Sequence, residues 1–404
     1  CNIPLPLSVI PALPLLIIEP LGKGSKPLPP PIITPLPLLT TPLPLSTNKV
    51  PSMVKNQTPY GKRVSSYSRQ KVVILFTTKR SGSTFLGEVF NQNPEAFYLF
   101  EPLFPFTRTC DLLREERINA LRQFTECNFK NISEIYKNAF TVLEHTDKYA
   151  QCLKNNICFE ERHLPLLARY ESACQQSNYS NCQLPLKPTI ISAICSKSKL
   201  VVYKILRVCE LQNLAHLIKT EDLDIRIVHL VRDPRAILSS RMKVYYTSKL
   251  CCFQLIEDQT NNETLKAEAK TLCNRLRKNI RFSNSYWKGQ NGEYMRIRHE
   301  DITTNPMQVV REIYRFVDEP VPHSIQDWVN NSMSAEETTI SEFSTVRKPS
   351  DVLNKWRRAL NFPTVQLIQA ECLDVLQNLG YLTVKNEKEQ NDETLPLCEK
   401  QAYL

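Results

Sequence analysis

The 404 residues carry 51 basic and 41 acidic side chains, a net charge of +10, and 42% of them are apolar. Such a chain supports one large domain or two modest ones with a real core, and no run reaches the eighteen or so apolar residues of a membrane span. The basic balance suits acidic partners, whether nucleotides, nucleic acid, sulfated or phosphorylated polymers or membrane surfaces; a solvated basic surface would read the same way.

Residues 1–51 hold fourteen of the 28 prolines. Proline removes amide donors and blocks helix and sheet, so a lead-in over 1–60 is expected to be extended or disordered: a stalk, or equally a translated non-coding stretch. The chain starts at Cys1 rather than Met, so an incomplete N-terminus is expected. From Lys71 the pattern becomes globular. Apolar runs at 72–76, 200–206 and 225–231, with a weaker one at 294–298, read as buried strands. Helical patterns at 83–91, 114–127, 210–218, 234–245, 263–286, 306–316 and 364–379 alternate with them. This alternation predicts βαβ units and an α/β fold with a parallel sheet. The main domain is placed at 71–383 and a C-terminal tail at 384–404.

Fourteen cysteines are many for a cytosolic enzyme. Cys152-x5-Cys158, Cys174-x7-Cys182 and Cys251-Cys252 lack the C-x2-C spacing of a zinc site, and no paired histidines stand near them. Disulfides in an oxidising compartment fit better, and N-x-[ST] triplets at Asn56, Asn131, Asn178, Asn262 and Asn330 point the same way, to the secretory pathway. The stretch 128–198 is cysteine-rich without a clean period, and is expected to be an insertion beside the core, pinned by disulfides.

Two loops stand out. TTKRSGSTFLGEVF, residues 77–90, follows the first strand. Gly82 turns without a Cβ penalty, the amides of Ser83, Thr84 and Phe85 open a helix towards an anion, Ser81, Ser83 and Thr84 add hydroxyls, and Arg80 adds a fixed charge. An ordinary capped helix after a strand would look much the same. The nucleotide loop G-x-x-x-x-G-K-[ST] is not present. The second loop lies in IRIVHLVRDPRAILSSRM, residues 225–242, where Arg232 ends a strand, Asp233 caps a helix and Pro234 opens it. Ser240 follows two turns into that helix, while Arg235 also reads as a surface charge. Two anion sites at two strand ends suggest a ligand with two separated phosphates.

KRSGSTF followed by LVRDPRAILSS resembles the two cofactor motifs of sulfotransferases that use 3′-phosphoadenosine 5′-phosphosulfate. FNQNPEAFYLFEPL (90–103), MRIRHEDITTNP (295–306), STVRK (344–348) and NKWRRAL (354–360) narrow the resemblance to the Golgi carbohydrate 6-O-sulfotransferases, over about 71–381. The resemblance implies a three-layer P-loop-like sulfotransferase fold and in-line sulfuryl transfer, without a metal, to a sugar hydroxyl of galactose, N-acetylgalactosamine or N-acetylglucosamine. Lys79, Arg80, Ser81, Gly82, Ser83, Thr84 and Phe85 would hold the phosphosulfate. Arg232, Asp233, Pro234, Arg235 and Ser240 would form the 3′-phosphate site, and Thr345 and Arg347 a loop closing over the donor. Arg80 stands where cytosolic relatives carry a lysine, and would act electrostatically because arginine keeps its proton.

Glu101, in the LFEP motif, is the expected base, with a pKa raised by apolar neighbours; a salt bridge to a core arginine is its other reading. Lys204 and Arg207 share the apolar run VVYKILRV, and alternation in a regular strand lets one of them face the crevice. His229 and His299 read as structural, and Trp356 as core. By the same resemblance the expected partners are a glycan or glycosaminoglycan acceptor of keratan sulfate or chondroitin type and a second copy in a homodimer, with no nucleic acid. The location would be the Golgi lumen as a type II membrane protein, with an anchor that this sequence lacks. A nucleotide phosphotransferase on a similar sheet and a catalytically silent glycan-binding relative are the rival readings.

Overall fold

A computed structural model describes residues 70–103, 114–129, 188–218, 223–247, 262–287, 293–334 and 349–399. All lie in the second of two units into which the chain divides, Ser65–Leu404. The proline-rich segment, most of the cysteine-rich stretch, and Thr345 and Arg347 lie outside the described residues.

Among the described residues one sheet is formed by β1 (Gln70–Thr77), β2 (Ala96–Phe100), β3 (Leu200–Ile205), β4 (Leu223–Val231) and β5 (Tyr294–Arg298). Their order is β2-β3-β1-β4-β5, and all pairings are parallel. The helices in chain order begin with α1 (Ser83–Asn91), α2 (Arg114–Thr125), α3 (Pro188–Lys197), α4 (Ala215–Ile218), α5 (Pro234–Thr247) and α6 (Asn262–Tyr286). They continue with α7 (His299–Thr304), α8 (Pro306–Phe316), α9 (His323–Ser334), α10 (Pro349–Ala359), α11 (Phe362–Asn378) and α12 (Glu387–Asn391).

A parallel sheet covered on both faces has no polar side, so its strands are continuous apolar runs. Val72, Ile74 and Phe76 of β1 enter one cluster with residues of α2, α3 and α4. Val73 and Leu75 enter the other, with α1, α8 and α9. The result is the three-layer α/β architecture expected from the sequence. A third cluster joins α5, α6, α10 and α11 around Trp356, which is buried in the core as expected. Gly87 lets α1 close on the sheet, because a Cβ there would stand 2.2 Å from the Tyr98 hydroxyl.

Several expectations change in detail. α2 stops at Thr125 because Cys127 turns to a left-handed φ of 55° and bonds to Cys195. The helix expected at 210–218 is a 3-10 turn, Leu211–Leu214, followed by α4. The end of the supposed insertion is core: α3 buries Ile191, Ile194 and Cys195 against the sheet. The segment 384–399 of the C-terminal tail packs on the domain. Buried Arg357 donates to the carbonyls of Glu389, Gln390, Asp392 and Leu395, which ties that segment to α10.

A second disulfide, Cys273–Cys372, links α6 to α11 across a sequence separation of 99. Cross-links of this reach stabilise chiefly by restricting the unfolded chain. Replacing both cysteines by alanine should lower the unfolding free energy by about 2–5 kcal/mol in a denaturant titration.

Candidate active site

Because the strands are parallel, the turns after their carboxyl ends gather at one edge of the sheet. β1 and β4 are neighbours there, and Thr77 Oγ1 donates to the Leu230 carbonyl at 2.9 Å. The turn after β1 carries Thr78–Gly82 and the turn after β4 carries Arg232 and Asp233.

In the first turn Arg80 and Gly82 are both left-handed, with φ of 73° and 81°. Gly82 is the N-cap of α1 and makes no side-chain cap. Helix α1 therefore starts at this edge, and a helix start favours an anion. A Cβ on Gly82 would lie 1.9 Å from His299 Cδ2, so only glycine fits. Ser81 is buried and its hydroxyl meets Thr78 Oγ1 at 2.8 Å. Lys79 is exposed, Ser83 is buried and Thr84 half-buried. Phe85 packs its ring at 5.0 Å from that of Trp328.

In the second turn Asp233 Oδ1 accepts from the Arg235 amide at 2.8 Å, and Pro234 opens α5, as expected. Asp233 and Arg235 do not face a ligand, however. Arg235 is fully buried, donates to Asp233 Oδ2 at 2.7 Å, to Gln369 Oε1 at 2.8 Å and to the Leu382 carbonyl at 2.8 Å, and lies 4.3 Å above the Trp356 ring. It is neither a surface charge nor an available anion ligand, because its donors are spent on holding the turn. Arg232 and Ser240 do reach the first loop. Arg232 Nη1 donates to the Arg80 carbonyl at 2.9 Å, and Arg80 Nε donates to Ser240 Oγ at 2.9 Å. The two anion half-sites read from the sequence thus touch through Arg80.

Glu101 follows β2 at the same edge with a φ of 45°. It pairs with Arg207 Nη1 through Oε2 and with Lys204 Nζ through Oε1 at 3.4 Å. Both cations reach it because β3 ends at Ile205, so strand alternation does not bind Arg207. Burial pushes the Glu101 carboxyl up, but Lys204 and Arg207 outweigh burial and hold it below the usual carboxylate range. The expectation of a raised pKa is corrected: two adjacent cations, absent from any local reading of YLFEP, reverse the sign. His229 is structural, bonded to the Tyr294 hydroxyl at 2.8 Å and pushed down to about 3 by burial and Arg296. Local sequence reasoning also passed over Glu300 and Tyr381, whose side chains meet at 2.6 Å behind the Asp233 turn; the run MRIRHED was the available signal.

Among the described residues no group of three or more His, Cys, Asp or Glu side chains is arranged to hold a metal, and no helix is long and apolar enough to cross a membrane.

The model of the sulfotransferase domain matches residues 70–380. The chain belongs to the sulfotransferase family. It is similar to carbohydrate sulfotransferase 3 of Homo sapiens, 27% identical over 81% of this chain and 71% of that protein. It is also similar to carbohydrate sulfotransferase 1 of Homo sapiens, 28% identical over 83% of this chain and 85% of that one. Among solved structures, mouse sulfotransferase SULT7A1 complexed with PAP superposes with a TM-score of 0.40 and 12% identity, over 77% of this chain and 86% of that one.

Removing the Glu101 charge leaves Lys204 buried beside Arg207 without its counter-ion. Glu101→Gln should therefore destabilise this sulfotransferase by about 3–5 kcal/mol at neutral pH. A carboxyl whose folded pKa is depressed contributes its stability in full above the unfolded value, 4.5 for this group, and loses it as pH falls through the lower folded value. Urea titrations should show a constant gap between wild type and variant from pH 7 to about 5, closing only in more acid solution.

Proposed function

We propose that the protein transfers a sulfuryl group from 3′-phosphoadenosine 5′-phosphosulfate to the 6-hydroxyl of galactose, N-acetylgalactosamine or N-acetylglucosamine in glycosaminoglycans or glycoproteins of the keratan sulfate or chondroitin type. Family membership and likeness to carbohydrate sulfotransferases support the reaction and the acceptor class. The observation that carries the donor is the contact of both half-sites through Arg80, whose carbonyl accepts from Arg232 and whose guanidinium reaches Ser240. Such a pair of adjoining cationic turns suits one ligand with two separate anionic groups. The residues fit it: the start of α1, a glycine pressed against His299, and two arginines at the same edge.

When bound, the donor supplies an activated sulfuryl group. The acceptor oxygen forms a bond to sulfur as the bond from sulfur to the 5′-phosphate oxygen breaks, leaving adenosine 3′,5′-bisphosphate. The protein's part is positioning and charge stabilisation, as in phosphoryl transfer. The amides of Ser83, Thr84 and Phe85 and the hydroxyls of the loop orient the transferring end. Arg80 stabilises the charge that grows on the leaving phosphate, without giving up a proton. Arg232 and Ser240 bind the 3′-phosphate. Glu101, ionised at neutral pH beside Lys204 and Arg207, takes the proton of the acceptor hydroxyl. A Golgi-lumenal location accords with the disulfides at Cys127–Cys195 and Cys273–Cys372, which form in oxidising compartments.

Transfer of radiolabelled sulfate to a panel of desulfated keratan, chondroitin and N-acetylglucosamine-terminated glycans tests the reading. Labelled product carrying sulfate at carbon 6 is expected; labelling only at another carbon rejects the position, and magnesium-dependent consumption of ATP would favour a phosphotransferase. Arg80→Ala should lower kcat by about 10²–10³-fold, the cost of one transition-state donor. Glu101→Ala should lower it by about 10²–10⁴-fold in folded protein. A near wild-type rate in the latter would leave Glu101 as an ion-pair residue alone.

A further inference from the structure

Helix α7 opens with His299 and Glu300, and the transfer chemistry uses neither. Their side chains run to opposite halves of the candidate donor site. The His299 ring, 7% exposed, occupies the space beside Gly82, where an added methyl would meet Cδ2 at 1.9 Å and Nε2 at 2.4 Å. The Glu300 carboxylate, 5% exposed, lies behind the turn after β4. Its Oε1 accepts from the Asp233 amide at 3.2 Å, and its Oε2 accepts from the Tyr381 hydroxyl at 2.6 Å. Consecutive helical residues diverge by roughly 100°, which is how one residue faces the first turn and the next faces the second.

The place from which they diverge is itself held. Val231 of β4 is paired with Arg298 of β5, so the residues that follow each strand stand side by side. Arg298, 2% exposed, grips Asp301 at 2.7 and 2.9 Å and donates to the carbonyls of Leu379 at 3.2 Å and Glu399 at 2.9 Å. The start of α7 is thereby locked to β5 on one side and to the C-terminal segment on the other. A carboxylate buried beside a second carboxylate, Asp233, is a costly choice for mere packing. Burial and Asp233 both push Glu300 up, in agreement with that cost.

We infer that His299 and Glu300 are positioning residues for the donor, His299 setting the left-handed turn that aims the amides of α1 and Glu300 setting the Arg232–Asp233 turn that binds the 3′-phosphate. This rests on the donor reading. The two residues therefore act on different parts of one ligand, and nucleotides that differ by a single phosphate tell them apart.

Binding of adenosine 3′,5′-bisphosphate and adenosine 5′-phosphate is measured by titration calorimetry on wild type and variants, with thermal melting to establish folding. Glu300→Ala strands the Asp233 amide and should weaken the bisphosphate about tenfold while changing adenosine 5′-phosphate by less than about twofold. Glu300→Gln keeps an acceptor for that amide and should restore most of the preference. His299→Ala should weaken both nucleotides by the same factor. Should Glu300→Ala not fold, Tyr381→Phe gives the same comparison, with a smaller loss confined to the bisphosphate. Equal losses for the two nucleotides in the Glu300 and Tyr381 variants, or an unchanged preference, overturn the Glu300 assignment; a His299→Ala loss confined to the bisphosphate overturns that of His299. A wild type that binds both nucleotides equally overturns the donor reading and this inference together.

Discussion

Each residue of the candidate site stands where it does because the strands run in one direction. Parallel strands put all their carboxyl ends at one edge, and apolar cover on both faces leaves that edge as the place for polar groups. The turns after β1, β2, β3, β4 and β5 deliver Arg80, Glu101, Arg207, Arg232 and His299 to it in turn. An antiparallel strand anywhere in this set would have sent its turn to the opposite edge. The order β2-β3-β1-β4-β5 adds a second consequence: β1 stands between β3 and β4, so its loop neighbours both the Glu101 cluster and the Arg232 turn.

Crowding so much charge at one edge costs desolvation, and the structure meets it with paired ions. Arg235 with Asp233, Arg298 with Asp301, and Lys204 and Arg207 with Glu101 each satisfy groups that would otherwise be buried alone. Such pairs add little stability relative to apolar side chains, but losing one member is expensive. They hold rather than stabilise. Two residues at this edge, Arg80 and Glu101, also adopt left-handed backbone without being glycine, a strain that persists only where surrounding contacts impose it. In Arg80 the contact is Arg232 on its carbonyl; in Glu101 it is the pair of cations on its carboxylate.

The sheet was legible because burial on both faces writes an unbroken apolar run: β5 and α8 have the ends read from sequence, and β1 and β4 grow by a residue or two. The cap of Asp233 and the opening proline were legible too, since both act within one turn of chain. What escaped was tertiary. RDPR holds two arginines three positions apart, and only the neighbours of α5 decide that Arg232 turns to the first loop while Arg235 turns back into Asp233, Gln369 and Trp356. β2 was hidden in AFYLF, a short run read only as part of a motif, and α7 in HEDITT, which has too few apolar residues to show a period. Glu101 was found by motif, yet its electrostatics came from residues more than a hundred positions away.

That last reversal bears on how a proton could leave the acceptor. A carboxyl raised by burial would be a stronger base but would lose its charge near neutrality. Glu101 beside Lys204 and Arg207 makes the opposite compromise, staying ionised throughout the neutral range at the expense of basicity. A weak base suits a reaction whose transition state is loose, with little bonding to the incoming oxygen, because the hydroxyl becomes acidic only as its bond to sulfur forms. In the proposed reaction the proton then has no need of a strong acceptor early, and the demand shifts to the leaving side, where Arg80 would stabilise charge without giving up its proton. In the proposed reaction, arginine on the leaving phosphate and a cation-clamped carboxylate on the acceptor would be one arrangement: both would keep fixed charge through the working pH, and both would leave the rate to geometry, which the turns after β1, β2 and β4 hold.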